Sequence, residues 1–324
     1  MKTLKKFFSN KNIILMLGVL ALMVFAAISI CTGTSGFGIG AGKNIIRYVR
    51  LPRTLACIFA GAGLSVSGAI LQRVLANKLA SPGIIGVNAG AGFGITVGYV
   101  LGAASGILYS VSAFAGAALA VFAITLAAYK ARAAKTTVIL GGVAVNAILN
   151  AATEAITVLN NDARIMNADF RVGGFSAVSY VRLVPAAVMI LVALAVVFTL
   201  LNDLDVISMG DETARGLGMN VRRTKNIFLV LASLLAGASV SFAGLLGFIG
   251  LIIPHFVRRV CGGNGKTLIT ASAIFGAAFL TISDLAARVI FAPFELPVGI
   301  IMAAVGGPVF IALLIHKKGG HAND

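Results

Sequence analysis

The chain has 324 residues, of which 59% are hydrophobic and only 11% charged, and its mean hydropathy is +1.01. A soluble globule carries about 25% charged residues, so this composition excludes one and points to an all-α polytopic membrane protein embedded in lipid. The net charge of +16 does not point to nucleic acid, because the basic residues gather between apolar runs, as they do in membrane proteins.

Met1-Lys-Thr-Leu-Lys-Lys6 opens the chain, followed by an apolar run longer than the core of a secretory signal, so the first span is expected to be retained. Runs of roughly 20 apolar residues, enough to cross a bilayer, fall near 13 to 32, 54 to 72, 84 to 103, 107 to 129, 136 to 159, 183 to 201, 226 to 243, 268 to 290 and 297 to 315. A tenth, from Gly247 to Val260, is short and contains Pro254. Irregular backbone survives at membrane depth only when shielded by protein or beside a cavity, so a broken or tilted helix among neighbours is expected there. The whole of 1–324 is read as one transmembrane domain of about ten helices. With the N-terminus inside, Lys2, Lys5, Arg73, Lys130, Arg222, Arg258 and Lys317 all fall on the inner side. The positive-inside rule then predicts cytoplasmic termini and a multi-pass protein of the cell membrane.

Between the spans the polar residues are few and placed. Arg47, Arg50 and Arg53 sit three apart at the expected outer mouth of the second span. Arginine makes geometrically fixed pairs with carboxylates, so the cluster suits an acidic docking partner, with lipid anchoring as the plain alternative. Gly86, Gly90, Gly94, Gly98, Gly102 and Gly106 recur every fourth residue, a small face that lets helices approach closely in lipid. Cys31, Cys57 and Cys261 lack close-spaced partners and read as small buried hydrophobes. No metal ligands, catalytic residues or cofactor motif stand out.

The largest polar interruption runs from Asn202 to Lys225. Ser208-Met-Gly-Asp211 fits an N-cap, with Asp211 at the positive end of a short helix, and Gly216 and Gly218 can end it. Asn220 can start a second helix carrying Arg222, Arg223 and Lys225 into the next span. Met209, Leu217, Met219 and Val221 offer apolar knobs to a partner. Further on, Gly262-Gly-Asn-Gly-Lys-Thr267 imitates the end of a phosphate-binding loop, but Val260 stands where its first glycine would fall and no strand precedes it. Any ATP energy must therefore come from another polypeptide. Buried ionisable groups mark ion-coupled carriers; here there are only Glu154 and the pair Asp284 and Arg288, which lie one helical turn apart and can neutralise each other. That leaves no relay through the bundle and weakens the ion-driven alternative.

Several ordered motifs resemble the FecCD-type permeases, membrane subunits of ABC importers for ferric siderophores, haem and cobalamin. They are Arg50-Leu-Pro-Arg53, Gly61 to Gly68, Asn77 to Gly86, Gly210-Asp-Glu-Thr-Ala-Arg-Gly-Leu-Gly218, Gly247 to Arg259, Glu295 to Gly299 and Gly306 to Phe310. The resemblance implies the type II importer architecture, ten spans, and a dimer with an identical or related permease. It also implies two cytoplasmic ATP-binding subunits below, an extracytoplasmic substrate-binding protein above, and no enzymatic activity in this chain. By the same resemblance Arg50, Arg53 and Arg288 receive acidic residues of the binding protein. Ser208, Met209, Gly210, Asp211, Glu212, Ala214, Arg215, Gly216, Leu217 and Gly218 couple to the ATPase. A ferric siderophore is the expected cargo, with haem or cobalamin as alternatives. Two stretches depart from the family pattern: Phe170 to Ser176, where relatives commonly carry a tryptophan, and Gly262 to Lys266, where an Asp-His-Arg-like sequence is frequent.

Overall fold

In lipid a backbone must satisfy its own hydrogen bonds, and nearly all of the described chain is helical. The structure, a computed structural model, describes residues 11–33, 36–37, 42–103, 106–130 and 135–316. Helix α1 (Lys11–Cys31) leads through a two-stranded turn, β1 (Thr32–Gly33) with β2 (Gly36–Phe37), to α2 (Lys43–Val74), whose segment Ile46–Arg50 is wound as a π-helix. There follow α3 (Val87–Val100), α4 (Gly106–Lys130), α5 (Lys135–Leu159), α6 (Asn161–Val172) and α7 (Tyr180–Thr199). The short α8 (Leu201–Ser208) and α9 (Asp211–Gly216) precede α10 (Val221–Ala243), α11 (Ile249–Cys261), α12 (Gly265–Val289) and α13 (Val298–His316).

Each of the ten expected spans coincides with a helix. Among the described residues seven are long and apolar enough to cross a membrane: α1, α2, α4, α5, α7, α10 and α12. The 14 residues of α3 and 13 of α11 reach about 20 Å at 1.5 Å per residue, short of the ~30 Å hydrocarbon layer. α6, α8 and α9 are additional, polar helices.

Helix α2 forms the axis of the bundle and packs against α10, α11 and α12. Small residues make this possible. A methyl group on Gly61 would fall on the Gly276 carbonyl, and one on Gly68 on the Gly250 carbonyl. Where backbones touch, serine hydroxyls tie them: Ser65 Oγ donates to Ser272 O at 2.6 Å and Ser67 Oγ to Ala232 O at 2.6 Å, the polar cement expected where no hydrophobic drive exists between helices. The four-residue glycine repeat does the same for α3 and α4, since Gly90 and Gly94 meet the backbone of Gly116 and Ser112, and Gly98 meets the Ser112 side chain. Gly86 caps α3 at φ +84°, Gly102 lies in the turn that follows and Gly106 begins α4, each with open space around it. Cys57 and Cys261 are buried and Cys31 is half-buried, all as free thiols.

The irregular backbone expected near Gly247 lies between α10 and α11, with Gly244 at φ +70° and Phe248 at φ +66°. Its polar groups are satisfied by neighbours, as membrane depth demands. Leu245 N donates to Phe170 O at 2.9 Å, Gly174 N to Ala243 O at 2.9 Å, and Gly299 N to Gly173 O at 3.3 Å. The divergent stretch from Phe170 to Ser176 is therefore a joint linking α6, α10 and α13, with the Phe170 and Phe175 rings buried in the core.

Candidate functional site

The polar segment after α7 folds as two short helices, but their boundary differs from the expected one. Ser208 is the last residue of α8, and its Oγ donates back to Asp205 O at 2.7 Å. Gly210, at φ +110°, is the residue before α9 and provides no side-chain cap. The reading of Ser208 as an N-cap is thus corrected: positive φ at Gly210 breaks the chain two residues later, leaving Ser208 on the preceding helix. Asp211 and Glu212 occupy the first turn of α9 and Arg215 its last, the order that the helix dipole favours. Gly218 takes φ +81°, whereas Gly216 ends α9 without positive φ. Asn220 caps α10 as expected, its side chain accepting from Arg223 N at 3.1 Å. Ala214 is buried, while Met209 and Leu217 are each 64% exposed. Of the four apolar knobs, then, Met209 and Leu217 face outward; Val221 is buried and Met219 packs against the core.

These helices are fastened to the bundle. Lys225 Nζ donates to Asp211 Oδ2 at 2.5 Å, joining α9 to α10. On α8, the Asp205 carboxylate accepts from Arg73 Nη1 of α2 at 2.5 Å and from Gly265 N at the start of α12 at 2.8 Å. Arg73 also donates to the Gly263 carbonyl, and Gln72 Nε2 donates to Gly250 O at 3.1 Å while its carbonyl oxygen accepts from Arg258. One carboxylate thus knots α2, α8 and the α11–α12 turn. That turn is the Gly262 to Lys266 departure, and a side chain on Gly265 would strike the Asp205 carboxylate.

At the other end of α2 the structure gathers Arg50, Arg53 and Arg288, with 5%, 7% and 2% of their surface exposed. Arg53 forks onto Asp284, with Nε and Nη2 at 3.0 to 3.2 Å from its oxygens, and Nη1 reaches Glu295 at 2.7 Å. Arg288 Nε lies 3.1 Å from Asp284 Oδ2 without hydrogen-bond alignment. Its Nη atoms donate to Thr32 O at 2.9 Å and Ser29 Oγ at 2.6 Å. Arg50 donates to Cys31 O at 2.8 Å and Ile30 O at 3.2 Å. The pairing of Asp284 with Arg288 is present, joined by Arg53. Glu295 was not anticipated. The donors of the three arginines are turned inward onto Asp284, Glu295 and the end of α1. Arg47 is exposed and lies over its neighbour Tyr48, 5.6 Å from the ring centre.

An α-helical bundle with seven helices able to cross a membrane among the described residues, a fastened pair of polar helices at one end and an arginine–carboxylate cluster at the other is the architecture of a multi-pass membrane protein. The FecCD transport family profile matches residues 12–316, and the chain belongs to this family. It is 38% identical to the Fe(3+)-citrate import system permease protein YfmD of Bacillus subtilis, over 85% of this chain and 82% of that one. It is 39% identical to the cobalamin import system permease protein BtuC of Halobacterium salinarum, over 85% and 74%. The fold matches an inward-facing metal-chelate type ABC transporter with a TM-score of 0.84 at 27% identity, covering 94% of this chain and 99% of that one. Members of the family are permease subunits whose ATPase is a separate chain, which disfavours the ion-driven carrier.

Proposed function

We propose that this chain is the permease subunit of a binding-protein-dependent ABC importer, and that it moves a metal chelate, of the ferric siderophore class, inward by ATP-driven alternating access. It pairs with a second permease, identical or related, over two ATP-binding subunits, and it receives cargo from an external binding protein. Both termini lie on the ATPase side. The observation that carries this reading is the attachment of α8 and α9: exposed Met209 and Leu217 offer a contact surface, while Asp205 and Asp211 bind the same helices to α2, α12 and α10. Force applied at Ser208 to Gly218 then passes through packed contacts into three spans. No covalent chemistry is needed in this chain.

At the opposite end Arg50, Arg53 and Arg288 against Asp284 and Glu295 leave an excess of positive charge, to which exposed Arg47 adds. We place the binding protein there, drawn by that potential, with its carboxylates competing for the donors that Arg50 now gives to backbone carbonyls. The test is uptake into proteoliposomes containing the permease, its ATPase and its binding protein. Ferric siderophore accumulation that requires ATP is expected. Accumulation driven by an ion gradient without ATP would overturn the importer reading, and preference for haem or cobalamin would overturn the cargo.

A further inference from the structure

Residues of α3, α5 and α6 line an open-mouthed cavity of about 230 Å³ whose lining is unusual for so apolar a chain. It includes Asn88, Asn146, Asn150, Thr153, Asn167 and Arg171, and no carboxylate among the described residues. Two of these are structural. The Asn167 amide donates to Gly92 O at 3.2 Å and Thr96 Oγ1 at 2.8 Å, and Thr153 Oγ1 donates to Leu149 O at 2.7 Å. The others are not used up. Asn146 Nδ2 donates to Gly83 O at 2.9 Å, but its Oδ1 is buried with no partner. Asn88, Asn150 and Arg171 have no hydrogen bond or ion pair with another described residue. Ionisable and polar groups facing a cavity among membrane helices often mark pathways, and buried structural ones are normally satisfied within the protein.

We propose that this cavity is a transit subsite that takes one carboxylate arm of the cargo, held by Arg171 and the side-chain amide N–H groups of Asn88 and Asn150, while Asn146 Oδ1 is left to accept from water or a hydroxyl beside the arm. Arginine forks onto a carboxylate with two parallel bonds, the amide nitrogens donate, and the absence of lining carboxylates leaves the site with positive potential. The volume lies below the ~300–1,000 Å³ of pockets that enclose a drug-sized ligand, so the cavity takes an arm and not a whole chelate. It also holds several waters' worth of space, which the arm displaces. Asn150 and Arg171 are exposed, so the mouth opens on the face of α5. This inference rests on the importer reading for its cargo but names a site that can be tested without transport.

The experiment uses the full chain in nanodiscs with two probes, citrate alone and ferric citrate, titrated calorimetrically. Saturable binding is expected, weakened about tenfold or more in Arg171→Gln, less in Arg171→Lys, and weakened also in Asn150→Leu, with unchanged unfolding midpoints. A wild-type chain that binds neither probe saturably, or unaltered affinity in both Arg171→Gln and Asn150→Leu, overturns the site. Proteoliposome uptake separates the two claims. If wild type imports with ATP and both variants import equally fast, the subsite falls and the importer stands. If wild type imports nothing while citrate binding depends on Arg171, the importer falls and the site stands.

Discussion

Removing the Asp205 carboxylate should loosen the α8–α9 pair from the bundle, and the structure sets the size of the effect. The carboxylate accepts a charged bond from Arg73, whose side chain is 8% exposed, and one from Gly265 N. A hydrogen bond to a charged group contributes roughly 1.5–3 kcal/mol. The Asp205 side chain is itself 39% exposed, and water screens part of the attraction, so Asp205→Ala should cost about 2 kcal/mol. Asp205→Asn keeps an acceptor for Gly265 and loses the charge, at about 1 kcal/mol. Hydrogen–deuterium exchange of the full chain in nanodiscs reads this as local opening: amides of α8 and α9 should exchange about 30-fold faster in the alanine variant. A cycle with Arg73→Ala should return a coupling of about 1 kcal/mol, as contacting residues do. Unchanged exchange in Asp205→Ala, or a coupling of zero, would refute the claim that this carboxylate fastens the helices.

The other substitutions test packing, turn geometry and charge. Gly68→Val drives its side chain into the Gly250 backbone, which cannot yield as a flexible side chain would. A loss of about 1–3 kcal/mol or more should appear as a lower unfolding midpoint in detergent. Gly216→Val meets open space and should leave that midpoint unchanged, whereas Gly218→Val must adopt φ +81° at about 1–3 kcal/mol. Because only Gly218 needs positive φ, Gly218→Val should lower the cargo moved per ATP while Gly216→Val leaves it unchanged. Asp284→Asn strips the only full charge common to Arg53 and Arg288 and should cost about 3–5 kcal/mol, visible as a collapse of folded yield. Asn220→Ala removes the cap of α10 at about 1 kcal/mol, and exchange at the first turn of α10 should rise accordingly.

The helices at the ten apolar runs, seven of them long and apolar enough to cross a membrane among the described residues, were legible because an apolar run has few other fates in a chain this hydrophobic. α6 was missed because it is a polar helix, with Asn160 accepting from Ala163 N, and nothing about a span-length window detects it. α8 left a readable trace that was passed over: Asp203 in its first turn and Leu204 and Ile207 three apart, both buried. The capping pattern at Ser208 competes with that trace in the sequence, and a glycine at 210 breaks the chain equally well. The glycine repeat was read correctly because close approach depends on residue size, which sequence states directly.

What one sequence could not state is which charges meet, since Arg73 and Asp205 lie 132 residues apart and Arg53 and Asp284 lie 231 apart. Charge balance would have narrowed the choice. The chain has 10 acidic residues against 26 basic ones, and an acid near an apolar span must find a cation or keep its proton. Asp284, Glu295, Asp205 and Asp211 all did so, with Arg53 and Arg288, Arg53, Arg73 and Lys225. The informative residues in such a chain are then the cations left without an acid, and Arg171, which lacks a carboxylate partner among the described residues while lining a polar cavity, is one whose charge no ion pair of the fold uses.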